Sequence, residues 1–250
     1  MVEVLKTVWD KISFPDSTIL GSRVAKKLFL ESDSLTAADK KLIKDNVKNI
    51  YWAYTLKTST CTIMPYKDDV REYLEIAILE VELVKPKGYK RIAEIIHRMI
   101  PYPLLLGFSD NNDNIALSFA HKRFSQAEKG AYVSEQFYTT EWIKKSTLMD
   151  FEKAFIDSLS LDKQKLHNFY TLYCSWQDCF IGYECGKLNG EFKLGDRNSR
   201  SEMLDRTREI EQKIAELRSQ IKGADFNRQV ELNTKIKKFE QELKKLAQNI

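Results

Sequence analysis

The chain has 250 residues, 43% of them apolar, with nine Gly and five Pro, a balance that excludes a disordered or loop-dominated protein. No apolar run reaches the roughly 20 residues of a membrane helix, and Glu3, Lys6 and Asp10 break the apolar character a signal peptide needs, so a cytoplasmic protein without membrane contact is expected. The net charge of +4 resides wholly in residues 197–250, with 13 basic and 9 acidic residues against 27 of each in 1–196, an excess too mild and interspersed for a dedicated nucleic-acid tail.

Val2, Leu5, Val8, Trp9 and Ile12 predict a short amphipathic helix, which Phe14-Pro15 breaks, with Asp16 or Ser17 opening the next helix. Thr36 and Asp39 form a capping-box pattern, and the helix they open is expected to carry Ile43, Val47, Ile50, Tyr51 and Tyr54 on one face. Thr58–Met64 then reads as extended, Pro65–Asp69 as a turn and Tyr73–Val84 as a long strand. A helix over about Tyr89–Met99, with Ile92, Ile95 and Ile96 inward, precedes a buried strand at Tyr102–Ser109. The Asp110–Asn114 turn, which lacks the Gly and closing Glu of an EF-hand, returns the chain through Ile115–Phe124. Val133–Trp142 reads as a further strand. Helices resume at Asp150. One long helix is expected from about Asp162 to Leu188, with the stripe Phe169, Tyr173, Trp176, Phe180 and Tyr183 on one face and His167, Tyr170, Cys174, Ile181 and Cys185 on another. Two apolar faces mean burial on both sides, so packing rather than base stacking accounts for the stripe. Gly186, Gly190, Gly195 and Asp196–Ser199 mark a linker.

The last fifty residues carry the clearest signal. Met203, Thr207, Ile210, Ile214, Leu217 and Ile221 recur at alternating steps of four and three, as do Leu232, Ile236, Phe239, Leu243, Leu246 and Ile250, with Gly223-Ala224-Asp225 between them as stop and new N-cap. That spacing keeps one apolar seam facing a partner helix, and each arm would be roughly 35 Å long at about 1.5 Å per residue. The reading is α+β: a mainly antiparallel sheet flanked by helices in residues 1–196, followed by a coiled-coil helical hairpin in 197–250. Ile210, Ile214, Leu217, Ile236 and Leu243 are the candidate partner-binding residues.

Candidates for chemistry are few. Cys61, Cys174, Cys179 and Cys185 contain no C-x-x-C pair and no His at finger spacing, so they read as small apolar fillers. Glu80 and Glu82 are two apart on the predicted strand and share a face. With Asp68, Asp69 and Glu75 upstream and Lys85 beyond, they suggest a Mg²⁺-dependent nuclease of divergent PD-(D/E)xK type. Lys85 falls three past Glu82, on the wrong face of an ideal strand, and a charged strand edge explains the same residues. His121-Lys122-Arg123 ends a strand, so Lys122 and Arg123, with Lys237 and Lys238 of the tail, are the nucleic-acid candidates. His97 and His167 read as structural.

Several short segments together resemble a known bacterial family, domain of unknown function 4391: Phe14-Pro15; Val47-Lys48-Asn49-Ile50-Tyr51-Trp52 leading to Leu56-Lys57-Thr58-Ser59-Thr60; Glu80-Val81-Glu82-Leu83; Ile100-Pro101-Tyr102-Pro103; Lys122-Arg123; and Phe226-Asn227 with Val230-Glu231-Leu232-Asn233. The resemblance spans about residues 14–250. It implies a setting among loci for helicases and type III-like DNA methyltransferases, and it brings no catalytic residues or cofactor. The expectation is a non-catalytic adaptor of a restriction-modification or anti-phage complex. Its hairpin would dock on a helicase or methyltransferase or on a second copy, with nucleic acid touched at most indirectly. The alternatives are the nuclease, for which alone Mg²⁺ is required, and a nucleic-acid-binding module.

Overall fold

Helix α1 (Glu3–Ile12) and a 3-10 turn at Asp16–Thr18 lead into strand β1 (Ile19–Arg23) in the computed structural model, which describes residues 3–110, 112–128 and 130–249. Val2, Asn111 and Ile250, assigned above to the first helix, the polar turn and the hairpin seam, lie outside those residues. A single helical turn, α2 (Lys27–Leu30), and helix α3 (Ala37–Asn46) precede the long strand β2 (Val47–Lys57). A small hairpin of β3 (Tyr66–Lys67) and β4 (Glu72–Tyr73) introduces β5 (Glu75–Leu83), helix α4 (Tyr89–Met99) and β6 (Leu104–Ser109). β7 (Asn114–Phe124), β8 (Tyr132–Thr139) and β9 (Ile143–Lys144) follow, then helices α5 (Asp150–Ser158), α6 (Phe169–Asn189), α7 (Arg197–Ile221) and α8 (Phe226–Asn249). The chain divides into two compact units, residues 1–180 and 181–250, with the boundary inside α6 and upstream of position 196.

The first unit is an α+β fold around a seven-stranded sheet in the order β1-β2-β5-β6-β7-β8, with β9 pairing the far end of β7. Every pairing is antiparallel except β5 with β6, which α4 joins as a crossover. β5 and β6 are buried nearly throughout, as a strand covered on both faces requires. On one face Ala77, Leu79, Val81 and Leu83 meet Ile43 of α3 and Ile92, Ile95 and Ile96 of α4. Gly88 starts α4 at φ +80°, a conformation that favours glycine, and a Cβ there would stand 2.8 Å from Leu42 Cδ1. The other face receives α1 and the first turns of α6. Tyr173 stacks on Phe119 at 4.1 Å, and its hydroxyl, which accepts from the Leu104 amide, lies 2.7 Å from Leu104 O and 2.9 Å from Ala120 O. The aromatic stripe is therefore core: Phe169, Tyr173, Trp176 and Phe180 are all buried.

Several local expectations are corrected. Residues 16–23 form a turn and an edge strand rather than a helix, because β1 pairs with Tyr51, Trp52 and Tyr54 of β2. The helix opened by Thr36 ends at Asn46, so Val47, Ile50, Tyr51 and Tyr54 belong to β2, and 58–64 is turn rather than strand. The N-cap half of the pattern is present: Thr36 Oγ1 accepts from the Asp39 amide at 3.1 Å. Hydrogen bonds from Arg91, more than those from Thr36, hold the Asp39 carboxyl down to about 2 against the opposing effect of burial. Finally, α6 begins at Phe169 rather than Asp162. Asn168 caps it by accepting from the Thr171 amide at 2.8 Å, which leaves His167 exposed ahead of the helix. Gly186 lies within α6, and residues 197–199, expected as linker, are already the first turn of α7.

Candidate functional site

Alternation along β5 sends Glu80 and Glu82 to the face covered by α1, as the spacing predicts. Glu80 stands opposite Tyr51 of β2 and Gly107 of β6. The Trp9 ring of α1 lies on Gly107 so closely that a Cβ there would be 2.5 Å from Cζ2, and its Nε1 donates to Glu80 Oε1 at 2.8 Å. Trp9 is 1% exposed and Glu80 0%, so this carboxylate is sealed beneath α1. Glu82, nearer the strand end, accepts from Lys48 Nζ at 2.6 Å and Asn49 Nδ2 at 2.8 Å. Burial works to raise its pKa, but those two hydrogen bonds outweigh it and hold the group below the usual range.

Lys85 is exposed two residues beyond the strand, and the cation paired with Glu82 is Lys48 from β2. Asp68 is occupied in the β3–β4 turn, where it accepts from the Val70 and Arg71 amides. Among the described residues no group of three or more His, Cys, Asp or Glu side chains is placed to hold a metal ion. Glu80 and Glu82 thus share a face without converging with Lys85. Beside them, Ser109 is paired with Glu82 in the register, and its buried Oγ has no partner among the described residues.

The basic candidates separate. Lys122 is 1% exposed. Its ammonium turns inward to the C-terminal end of α4, donating to His97 O, to Ile100 O at 2.9 Å and to Ser134 Oγ at 2.9 Å. It caps a helix and cannot reach a phosphate, which corrects its assignment as a nucleic-acid contact. Burial pushes its pKa down to about 7. His97 is fully buried with Nε2 3.1 Å from Ser118 Oγ; burial, then the charge of Lys122, depress its pKa well below the ordinary histidine value. Arg123 is partly exposed, donates to Phe124 O at 3.1 Å and lies 3.8 Å from Glu135. Lys237 and Lys238 are exposed on α8, in the other unit. His121 sits between Tyr73 OH, 2.6 Å from Nδ1, and Gln177 Oε1, 3.2 Å from Nε2. Apart from the bond of Arg123 to its neighbour Phe124, these polar partners had no local sequence signal: they arise from strand register or from helices meeting strands.

In the second unit the four-three pattern becomes a helical hairpin. Ile210, Ile214 and Ile236 are 0%, 5% and 6% exposed, and Leu217, Ile221, Phe239, Leu243 and Leu246 pack against them while remaining only partly buried. Of the candidate partner-binding residues, Ile210, Ile214 and Ile236 are consumed by the seam itself, and Leu217 and Leu243 pack against it while partly buried. Arg206 donates to Glu242 at 2.9 Å and Arg218 to Glu240 at 2.8 Å, tying the two helices across the seam. Asp225 caps α8 by accepting from the Arg228 amide at 2.9 Å. Just beyond the turn, Phe226 is 77% and Val230 50% exposed. One turn apart on α8, they form an apolar step that sequence periodicity had left out of the seam.

The family described as Domain of unknown function (DUF4391) matches residues 12–243. No curated protein and no solved structure matches the chain. No helix among the described residues is long and apolar enough to cross a membrane.

Proposed function

The chain belongs to the DUF4391 family, and from that premise we propose that it is a non-catalytic accessory subunit that docks on a partner protein through the α7–α8 hairpin. The observation that carries this reading is the hairpin's incomplete burial. Its central isoleucines are enclosed, yet Leu217, Ile221, Phe239, Leu243 and Leu246 are only partly covered, and Phe226 and Val230 stand in solvent. Each apolar side chain of this size gains about 1.5–3 kcal/mol on full burial from an exposed state, so a third helix laid over these partly covered residues has free energy to collect. We propose a helicase or DNA methyltransferase of a bacterial restriction-modification or anti-phage system as that partner. Self-association through the same surface is the competing outcome of the test.

Support for the two alternatives is weaker. A metal-dependent nuclease needs Glu80 open to substrate and metal, whereas Trp9 covers it. A nucleic-acid module needs cations on one face, whereas Lys122 is spent on α4.

The test is affinity capture from the native host with the full chain and with a Phe226→Asp/Val230→Asp variant. Both side chains are exposed, so the variant keeps its hairpin. A specific protein retained by the wild type and lost by the variant supports the docking role, and a second copy of the chain in its place makes the hairpin a self-association surface. Identical retention by both proteins, or nothing retained by either, removes it.

A further inference from the structure

The Ile100–Pro103 segment plays no part in the docking hairpin. It lies in the 1–180 unit, where Pro101, Tyr102 and Pro103 wall a cleft of about 220 Å³ completed by Glu72, Leu74, Glu75 and Tyr132. The two carboxylates differ in what they already hold. Glu72 pairs with Lys67 at 2.6 Å and accepts from Tyr132 OH at 2.8 Å, and these bonds hold it ionised below the usual range. Its charge is therefore matched within the protein. Glu75 is half-buried and, among the described residues, has no hydrogen-bond or ion-pair partner, although Lys57 stands opposite it in the β2 register. A part-buried carboxylate without a cation is an unbalanced charge.

The rest of the wall is apolar or aromatic: Leu74, two prolines and two tyrosine rings. Tyr102 is 42% exposed, with its ring edge-on to Trp52 at 5.8 Å, and the flanking prolines restrict its backbone. Burial and the Glu72 hydrogen bond push the Tyr132 phenol up to about 12, so it stays neutral. Neutral rings beside a carboxylate attract a cation through both the ring quadrupole and charge. Size narrows the choice. Pockets for drug-sized ligands begin at roughly 300 Å³, so this cleft takes one side chain rather than a nucleotide. A divalent metal ion asks for more oxygen ligands than one unmatched carboxylate supplies.

We infer that this cleft binds an organic cation of side-chain size, the arginine or lysine side chain of a polypeptide, with Glu75 as its counter-charge and Tyr102 and Tyr132 as its aromatic wall. The inference is independent of the hairpin.

The test is titration of the full-length protein with Nα-acetyl-arginine methylamide, followed by amide chemical shifts. The expected result is saturable shifts at 72–75, 102 and 132. Glu75→Gln should weaken binding about tenfold, the loss of one ion pair in a half-buried site. Tyr102→Ala should weaken it about fivefold, and its exposed ring makes it the second variant should Glu75→Gln fail to fold. Comparable binding of the lysine derivative supports the site equally. Saturable binding of the neutral citrulline analogue, unchanged affinity in both variants, or no saturation by either cation overturns the inference. Preference for free agmatine over the capped amino acid overturns the polypeptide source.

Discussion

Lys122 brings an ammonium to three acceptors that the end of α4 and strand β8 leave in the interior: His97 O, Ile100 O and Ser134 Oγ. Lys122→Met keeps the volume and strands Ile100 O, while His97 O still accepts from Ser134 Oγ at 3.0 Å, at a cost of roughly 1–3 kcal/mol in a denaturant titration. The pH dependence has a definite sign. With its pKa lowered from 10.5 to about 7 in the folded state, the unfolded chain binds more protons across that window. Stability from this group therefore rises with pH, by up to about 1.4 kcal/mol per unit, and Lys122→Met should remove that slope. His97 acts below neutrality in the same sense. Its folded pKa lies well under 6.5, so acid protonates the unfolded chain first and stability falls as pH drops through 6.5. Trp9→Phe removes the indole donor to sealed Glu80 and should cost roughly 1–3 kcal/mol in the same titration. None of these roles is visible locally. Lys122 next to Arg123 looks like a surface cation pair until β7 is placed beneath α4, and Glu82 finds Lys48 rather than Lys85 only once β2 and β5 are in register.

At the scale of elements, legibility follows the range of the interaction that decides each segment. The hairpin was readable because its four-three repeat, the Gly223 stop and the Asp225 cap all act within a few residues. The same holds for the Thr36 N-cap and for α4, whose isoleucines face inward as expected. β2 was not readable. Ile43, Val47, Ile50 and Tyr54 satisfy a helical period, and the pairing of nine β2 residues with β5 overrides it. Position within the hairpin likewise predicts the cost of substitution. Asp225→Ala should destabilise α8 by about 1 kcal/mol. Ile214→Asp places a charge in the seam and should cost more than about 3 kcal/mol, whereas Val230→Asp at the exposed step should stay within about 0.5 kcal/mol. Hydrogen-exchange protection of 197–249 reads all three.

For the molecule as a whole, the two units differ in character. Residues 1–180 form a sheet whose central carboxylate, lysine and histidines are mostly committed to holding the fold. Residues 181–250 carry an apolar hairpin whose central isoleucines are enclosed, whose outer seam residues are partly buried and whose Phe226 and Val230 are exposed. The family match crosses both, from residue 12 to 243. The docking claim is tested most directly by photocrosslinking in the native host, with p-benzoylphenylalanine at position 226 and, as control, at exposed Leu166. One protein joined covalently at 226 and absent at 166 is the predicted result. No adduct at 226, or the same adducts at both positions, would contradict it.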